Sequence, residues 1–129
     1  MPFILLIDDD EPFRLVLKAS MERMGHEVTV AKDGREGVAL YMPSAFDLVI
    51  TDLIMPEKEG IETIMDLRKR SPAVKIIAMS GGGRVTSVDY LKIARQVGAQ
   101  SVLEKPFRYE ELKTAIEKAL APPASAGQG

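Results

Sequence analysis

The chain has no cysteine, a single histidine, and aromatic side chains at only 5% of its positions. Without cysteine there can be no disulfide, no thiolate metal site and no thiol nucleophile, a composition compatible with a reducing compartment. No apolar run approaches the ~20 residues that a membrane-crossing helix needs. The N-terminus lacks the basic start and small-residue cleavage site of a secretory leader. A soluble, cytoplasmic protein with no membrane partner is expected. Neither sign of charge dominates: 17 Lys and Arg against 19 Asp and Glu leave a formal net charge of -2. That balance offers no basic footprint for direct contact with nucleic acid.

What the chain does have is an ordinary globular composition, 46% hydrophobic and 28% charged over 129 residues, which suits one domain. Five short apolar runs recur, at Phe3 to Ile7, Glu27 to Ala31, Asp47 to Thr51, Val74 to Met79 and Ser101 to Leu103. Segments of helical spacing separate them. Phe13, Val16, Leu17, Ser20, Met21 and Met24 form one stripe that stops at Gly25, and Leu112, Ala115, Ile116 and Ala119 form another between Tyr109 and Leu120. The second predicted helix starts near Asp33 and Gly34, and the third near Glu59 and Gly60, closed by Ser71 and Pro72. The first, third and fourth strands are continuous apolar runs, the pattern of parallel strands buried on both faces. Seven methionines fall at helical and strand positions and read as core. The tail "APPASAGQG" is small and Pro-rich, so residues 1–121 are expected to fold and 122–129 to be a disordered tail or linker stub.

Alternating strands and helices predict an α/β fold, a doubly wound parallel sheet of five strands. In a flavodoxin-like order of 2-1-3-4-5, ligands bind beyond the carboxyl ends of the strands. Those ends are polar. The first strand runs into Asp8, Asp9 and Asp10, the third into Thr51 and Asp52, the fourth into Ser80 and three glycines, and the fifth into Glu104, Lys105 and Pro106. Neighbouring strands lie ~4.8 Å apart, so Asp8, Asp9, Asp52 and Ser80 can converge, and the long stem of Lys105 can reach them from two strands away. Carboxylates that close need a cation or a raised pKa. With all-oxygen donors and no thiolate, a hard ion such as Mg2+ suits them, and it leaves coordination positions for a phosphate. Asp10, Glu11 and Pro12 read instead as the start of the first helix. His26 falls in a turn with no chemical role. The glycines at 81 to 83 match neither a Walker nor a dinucleotide-binding spacing and read as a mobile loop.

Four stretches, "IDDDEPFR", "DLVITDLIMPEKEG", "IIAMSGGG" and "EKPF", make the chain resemble a two-component response-regulator receiver domain of the chemotaxis-receiver type over essentially residues 3 to 120. The resemblance implies that Asp52 is the phosphoacceptor, taking a phosphoryl group from the phosphohistidine of a sensor histidine kinase or phosphotransfer protein. It further implies that Asp9 ligates Mg2+ directly, Asp8 largely through water, and Ile54 through its main-chain carbonyl. Ser80 matches the switch hydroxyl, Lys105 the family's lysine, and a cis bond precedes Pro106. The implied output is a change on the face made by the fourth and fifth strands and helices, read by a downstream protein, in a monomer or a phosphorylation-dependent dimer. The protein then serves as a phosphoacceptor with slow autodephosphorylation at most, and a stand-alone one is expected. Three features depart from the common pattern. Val102 stands where an aromatic switch residue is frequent, the stretch from Ser80 to Lys105 is long, and Ile54 and Gly82 occupy positions that often carry polar side chains tuning dephosphorylation. Two alternatives are a receiver-like binding module without phosphorylation and a Mg2+-dependent phosphohydrolase using Asp52. The intact set of Asp8, Asp9, Asp52, Ser80 and Lys105 speaks against the first, and Ile54, standing where a general acid would be wanted, against the second.

Overall fold

A computed structural model of the chain describes residues 3–42, 45–53, 60–81, 92, 95–96 and 98–121. Five parallel strands, β1 (Phe3–Ile7), β2 (Glu27–Ala31), β3 (Leu48–Asp52), β4 (Ile76–Gly81) and β5 (Ser101–Lys105), form one sheet in the order β2-β1-β3-β4-β5. Four helices have both ends among the described residues, α1 (Glu11–Arg23), α2 (Gly34–Leu40), α3 (Gly60–Arg70) and α4 (Tyr109–Leu120). Between β4 and β5 only Lys92, Arg95, Gln96 and residues 98–100 are described, the first three as helical. The expected flavodoxin-like order is therefore the observed one.

Alternation along the strands divides the core in two. Leu5, Ile7, Val49, Ile76 and Ala78 pack on one side with Ile64 and Leu67 of α3, while Ile4, Leu6, Leu48, Ile50, Ile77 and Met79 meet Leu17 and Met21 of α1 and the expected stripe of α4 on the other. Both faces of β1, β3 and β4 are thus covered, which is why those strands read as unbroken apolar runs. Helix α1 ends as the sequence predicts. Gly25 takes φ 102°, and His26 N–H donates to the Met21 carbonyl, closing the last turn with a left-handed residue that only glycine adopts without strain.

Some expectations need correction. Val16, placed on the apolar stripe of α1, is 65% exposed, and Met42 and Met65 are exposed rather than core. β3 starts one residue later than expected because Asp47 is used elsewhere: its carboxylate accepts a hydrogen bond from the Phe3 N–H (2.8 Å). Val74 is buried but lies in a turn, its N–H donating to the Ser71 carbonyl (2.9 Å), so β4 begins two residues later. β5 extends through Glu104 and Lys105, which pair with Ser80 and Gly81. Ile54, Gly82, Gly83 and the tail 122–129 lie outside the described residues.

Candidate functional site

The exit of β1 is built by short-range hydrogen bonds. Asp8 N–H still belongs to the sheet, donating to the Ala31 carbonyl (3.1 Å), whereas the Asp8 carboxylate accepts the Asp10 N–H (2.9 Å) and turns the chain. Asp10 then caps α1, accepting from the Phe13 N–H (3.2 Å), with Pro12 in the first turn. Arg14, one turn in, donates from Nη1 to the Asp8 carbonyl (2.7 Å) and ties the helix to the strand exit. The four consecutive acids therefore separate into distinct positions. Asp8 is fully buried, Asp9 is exposed, and Asp10 and Glu11 belong to the helix start.

Asp52 ends β3, nine-tenths buried, in register with Met79 of β4. Its approach is fixed by Gly60, which opens α3. The Gly60 N–H donates to the Leu53 carbonyl (2.8 Å), and a Cβ at this position would collide with the Asp52 carbonyl and Leu53 Cα, so only glycine fits. Carboxylate oxygens of Asp8, Asp9 and Asp52 come within 4.8 Å of one another. Lys105 ends β5, just before the cis Lys105–Pro106 bond, with Nζ 2.9 Å from Asp8 Oδ2 and 3.8 Å from Asp52 Oδ2. The ammonium also lies 4.2 Å from the centroid of the Phe13 ring. Ser80, the residue after Met79 on β4, is fully buried, and among the described residues its Oγ has no hydrogen-bond partner.

The structure thus brings Asp8, Asp9, Asp52 and Lys105 together, with Ser80 on the adjoining strand end. Val102 is half-buried, paired with Ala78 and packed on the α3 side of the sheet. Three carboxylates around one ammonium leave an excess of negative charge, and an all-oxygen donor set suits a hard divalent cation such as Mg2+. The Ser80 hydroxyl on the adjoining strand end, without a partner among the described residues, fits a ligand that brings further oxygen atoms.

A sequence model of the response regulator receiver domain family matches residues 4–117. The chain belongs to that family. The receiver chain is 34% identical over 119 residues to the transcriptional regulatory protein ZraR of Escherichia coli, covering 92% of this chain and 26% of ZraR. It is 36% identical over 125 residues to the DNA-binding transcriptional regulator NtrC of Azospirillum brasilense, covering 95% and 25%. It therefore spans about a quarter of the length of these relatives. Among solved structures, a response regulator receiver domain protein from Clostridium thermocellum superposes with TM-score 0.87 at 30% identity, covering 93% of this chain and 94% of that one. The receiver domain of NtrX from Brucella abortus does so with TM-score 0.83 at 27% identity, covering 91% and 97%. Phosphorylation on aspartate with Mg2+ in an acidic pocket, by histidine kinases or phosphotransfer proteins, is a property of the receiver family, whose members are phosphoacceptors rather than conventional enzymes.

Phe13, Arg14 and Gly60 fall within the stretches "IDDDEPFR" and "DLVITDLIMPEKEG", but sequence reasoning gave them no role at this receiver site. Phe13 and Arg14 stand one turn into the helix that follows the acids, and the first turn of a helix leaving a strand end overhangs that end. Gly60 closes the stretch "DLVITDLIMPEKEG" and reads there only as a helix start.

Proposed function

We propose that the protein is a two-component signalling receiver that accepts a phosphoryl group on Asp52 from the phosphohistidine of a sensor histidine kinase or phosphotransfer protein. The observation that carries this reading is the convergence of the Asp8, Asp9 and Asp52 carboxylates under the ammonium of Lys105. Asp9 and Asp52 would ligate Mg2+ directly, Asp8 largely through water, and the Ile54 main-chain carbonyl would complete the protein's share. The ion, when bound, neutralises carboxylate and phosphoryl charge.

An Asp52 carboxylate oxygen attacks the phosphorus as the P–N bond to the donor histidine breaks. The electron pair stays with the imidazole nitrogen, and an aspartyl phosphate forms. Lys105, already 3.8 Å from Asp52, pairs with a phosphoryl oxygen. The Ser80 hydroxyl, buried and without a partner among the described residues, donates to another and is drawn toward the new charge. That movement is passed to the face formed by β4, β5 and α4, where Val102 responds by packing because it has no ring to turn. Autodephosphorylation is slow at most. A downstream protein reads this face, and the receiver acts in the cytoplasm as a monomer or phosphorylation-dependent dimer, without touching nucleic acid itself. Residues 1–121 are the unit that carries these steps.

Incubation with Mg2+ and acetyl phosphate tests the reading. One phosphoryl group should be added, depending on Mg2+ and absent in Asp52→Asn. Equal modification of the variant would contradict it.

A further inference from the structure

Lys105 carries its charge on a flexible four-carbon stem, and two acids alone do not fix where such a group sits. Here a third wall exists. The Phe13 ring lies 4.2 Å from Nζ, on the α1 side of the pocket, while Asp8 and Asp52 hold the ammonium at 2.9 and 3.8 Å. The ring is itself braced: Phe107 meets it at 5.9 Å between centroids, with planes at 82°. Phe107 is two residues beyond Lys105, so the strand exit that delivers the ammonium also delivers the ring that orients its wall. Both rings are half-buried against the α1–α4 side of the core, and the lysine side chain is only 17% exposed. A cation over a ring face is attracted by the ring quadrupole, more strongly where water is excluded.

We propose that Phe13 is a positioning residue for phosphorylation, acting through Lys105. Its ring face, set by Phe107, keeps the ammonium inside the pocket and lets it pass from Asp8 toward a phosphoryl group on Asp52 without swinging into solvent. This rests on the reading of Asp52 as phosphoacceptor. Before phosphorylation the lysine's shortest contact is with Asp8, not Asp52, so the catalytic arrangement needs a small displacement of Nζ along a surface that does not compete with it by hydrogen bonding.

The test uses the full chain with acetyl phosphate in saturating Mg2+. Phe13→Leu should lower the phosphorylation rate constant about five- to tenfold, the size of one partly desolvated cation–π contact, with Mg2+ affinity unchanged. Phe13→Tyr should keep the parent rate. In the Lys105→Met background, Phe13→Leu should change the rate no further, because the lysine through which it acts is gone. By nuclear magnetic resonance, the Lys105 ε-methylene should show an upfield ring-current shift in the parent and in Phe13→Tyr, lost in Phe13→Leu. Phe13→Met serves in place of Phe13→Leu if the latter fails to fold. Equal rates in the parent and Phe13→Leu would overturn the inference, as would an equal slowing by Phe13→Leu with and without Lys105. A parent protein that acetyl phosphate does not modify at all would remove the Asp52 reading and this inference together; a modified parent with an unaffected Phe13→Leu removes this inference alone.

Discussion

Replacing Lys105 with methionine tests how strongly the acidic site depends on one ammonium. The apolar stem is largely kept, while the charge and its contact over the Phe13 ring are removed. At an effective dielectric of about 20, attraction between Nζ and the oxygens at 2.9 and 3.8 Å amounts to roughly 6 and roughly 4 kcal/mol before desolvation is subtracted. Most of that is offset by taking the charges out of water. Removing one side of such a pair instead leaves Asp8, fully buried, facing Asp52 with no counter-charge from Lys105, and one-sided loss of a buried pair costs about 3–5 kcal/mol. The lysine retains some exposure, so the low end applies, about 3 kcal/mol. The protein has no tryptophan, and urea unfolding is followed by far-ultraviolet circular dichroism. With a urea slope of roughly 2 kcal/mol per molar, Lys105→Met should unfold at a midpoint lower by about 1.5 M without Mg2+. Saturating Mg2+ should narrow the gap by stabilising the folded site. A midpoint within about 0.3 M of the parent, in the absence of Mg2+, would show that the carboxylates do not rely on Lys105.

Asp10→Ala should cost about 1 kcal/mol by removing the cap of α1, measured by urea unfolding, while Asp52 is still phosphorylated. This would separate Asp10 from its neighbours Asp8 and Asp9. Gly60→Ala should cost about 1–3 kcal/mol and slow phosphorylation, because the added Cβ meets backbone at Asp52 and Leu53 that cannot step aside. Burial holds the pKa of His26 below its usual 6.5, with charge at the N-terminus adding to the effect. The unfolded chain then binds more protons than the folded one in the window below 6.5, so stability is full above that pH and falls as the solution is acidified through it. His26→Gln should flatten that segment of the stability profile in thermal melts across pH; an unchanged profile would assign the slope to other groups.

The five strands and their order were legible because burial on both faces writes β1, β3 and β4 as unbroken apolar runs ending in polar residues. That pattern alone aims Asp8, Asp9, Asp52 and Lys105 at one rim. Strand ends were less legible, since they depend on single hydrogen bonds. Asp47 reads like the start of β3 yet spends its carboxylate on Phe3, and Val74 is as apolar as a strand residue yet sits in a turn. Contacts between distant side chains leave no periodic trace. The preference of Lys105 for Asp8 over Asp52, the Phe13 wall and the hold of Arg14 on the Asp8 carbonyl all join residues on different elements or across a turn. The exposure of Val16 shows the same limit from the other side: helical spacing places it on the stripe, and only the tertiary fold decides how wide that stripe is.

The most direct measurement is transfer from an autophosphorylated histidine donor domain, followed by borohydride trapping of the acyl phosphate and peptide mapping. The account predicts Mg2+-dependent transfer with the trapped residue at position 52 and none in Asp52→Asn. A trapped acyl phosphate at another carboxylate, or transfer undiminished by Asp52→Asn, would contradict it.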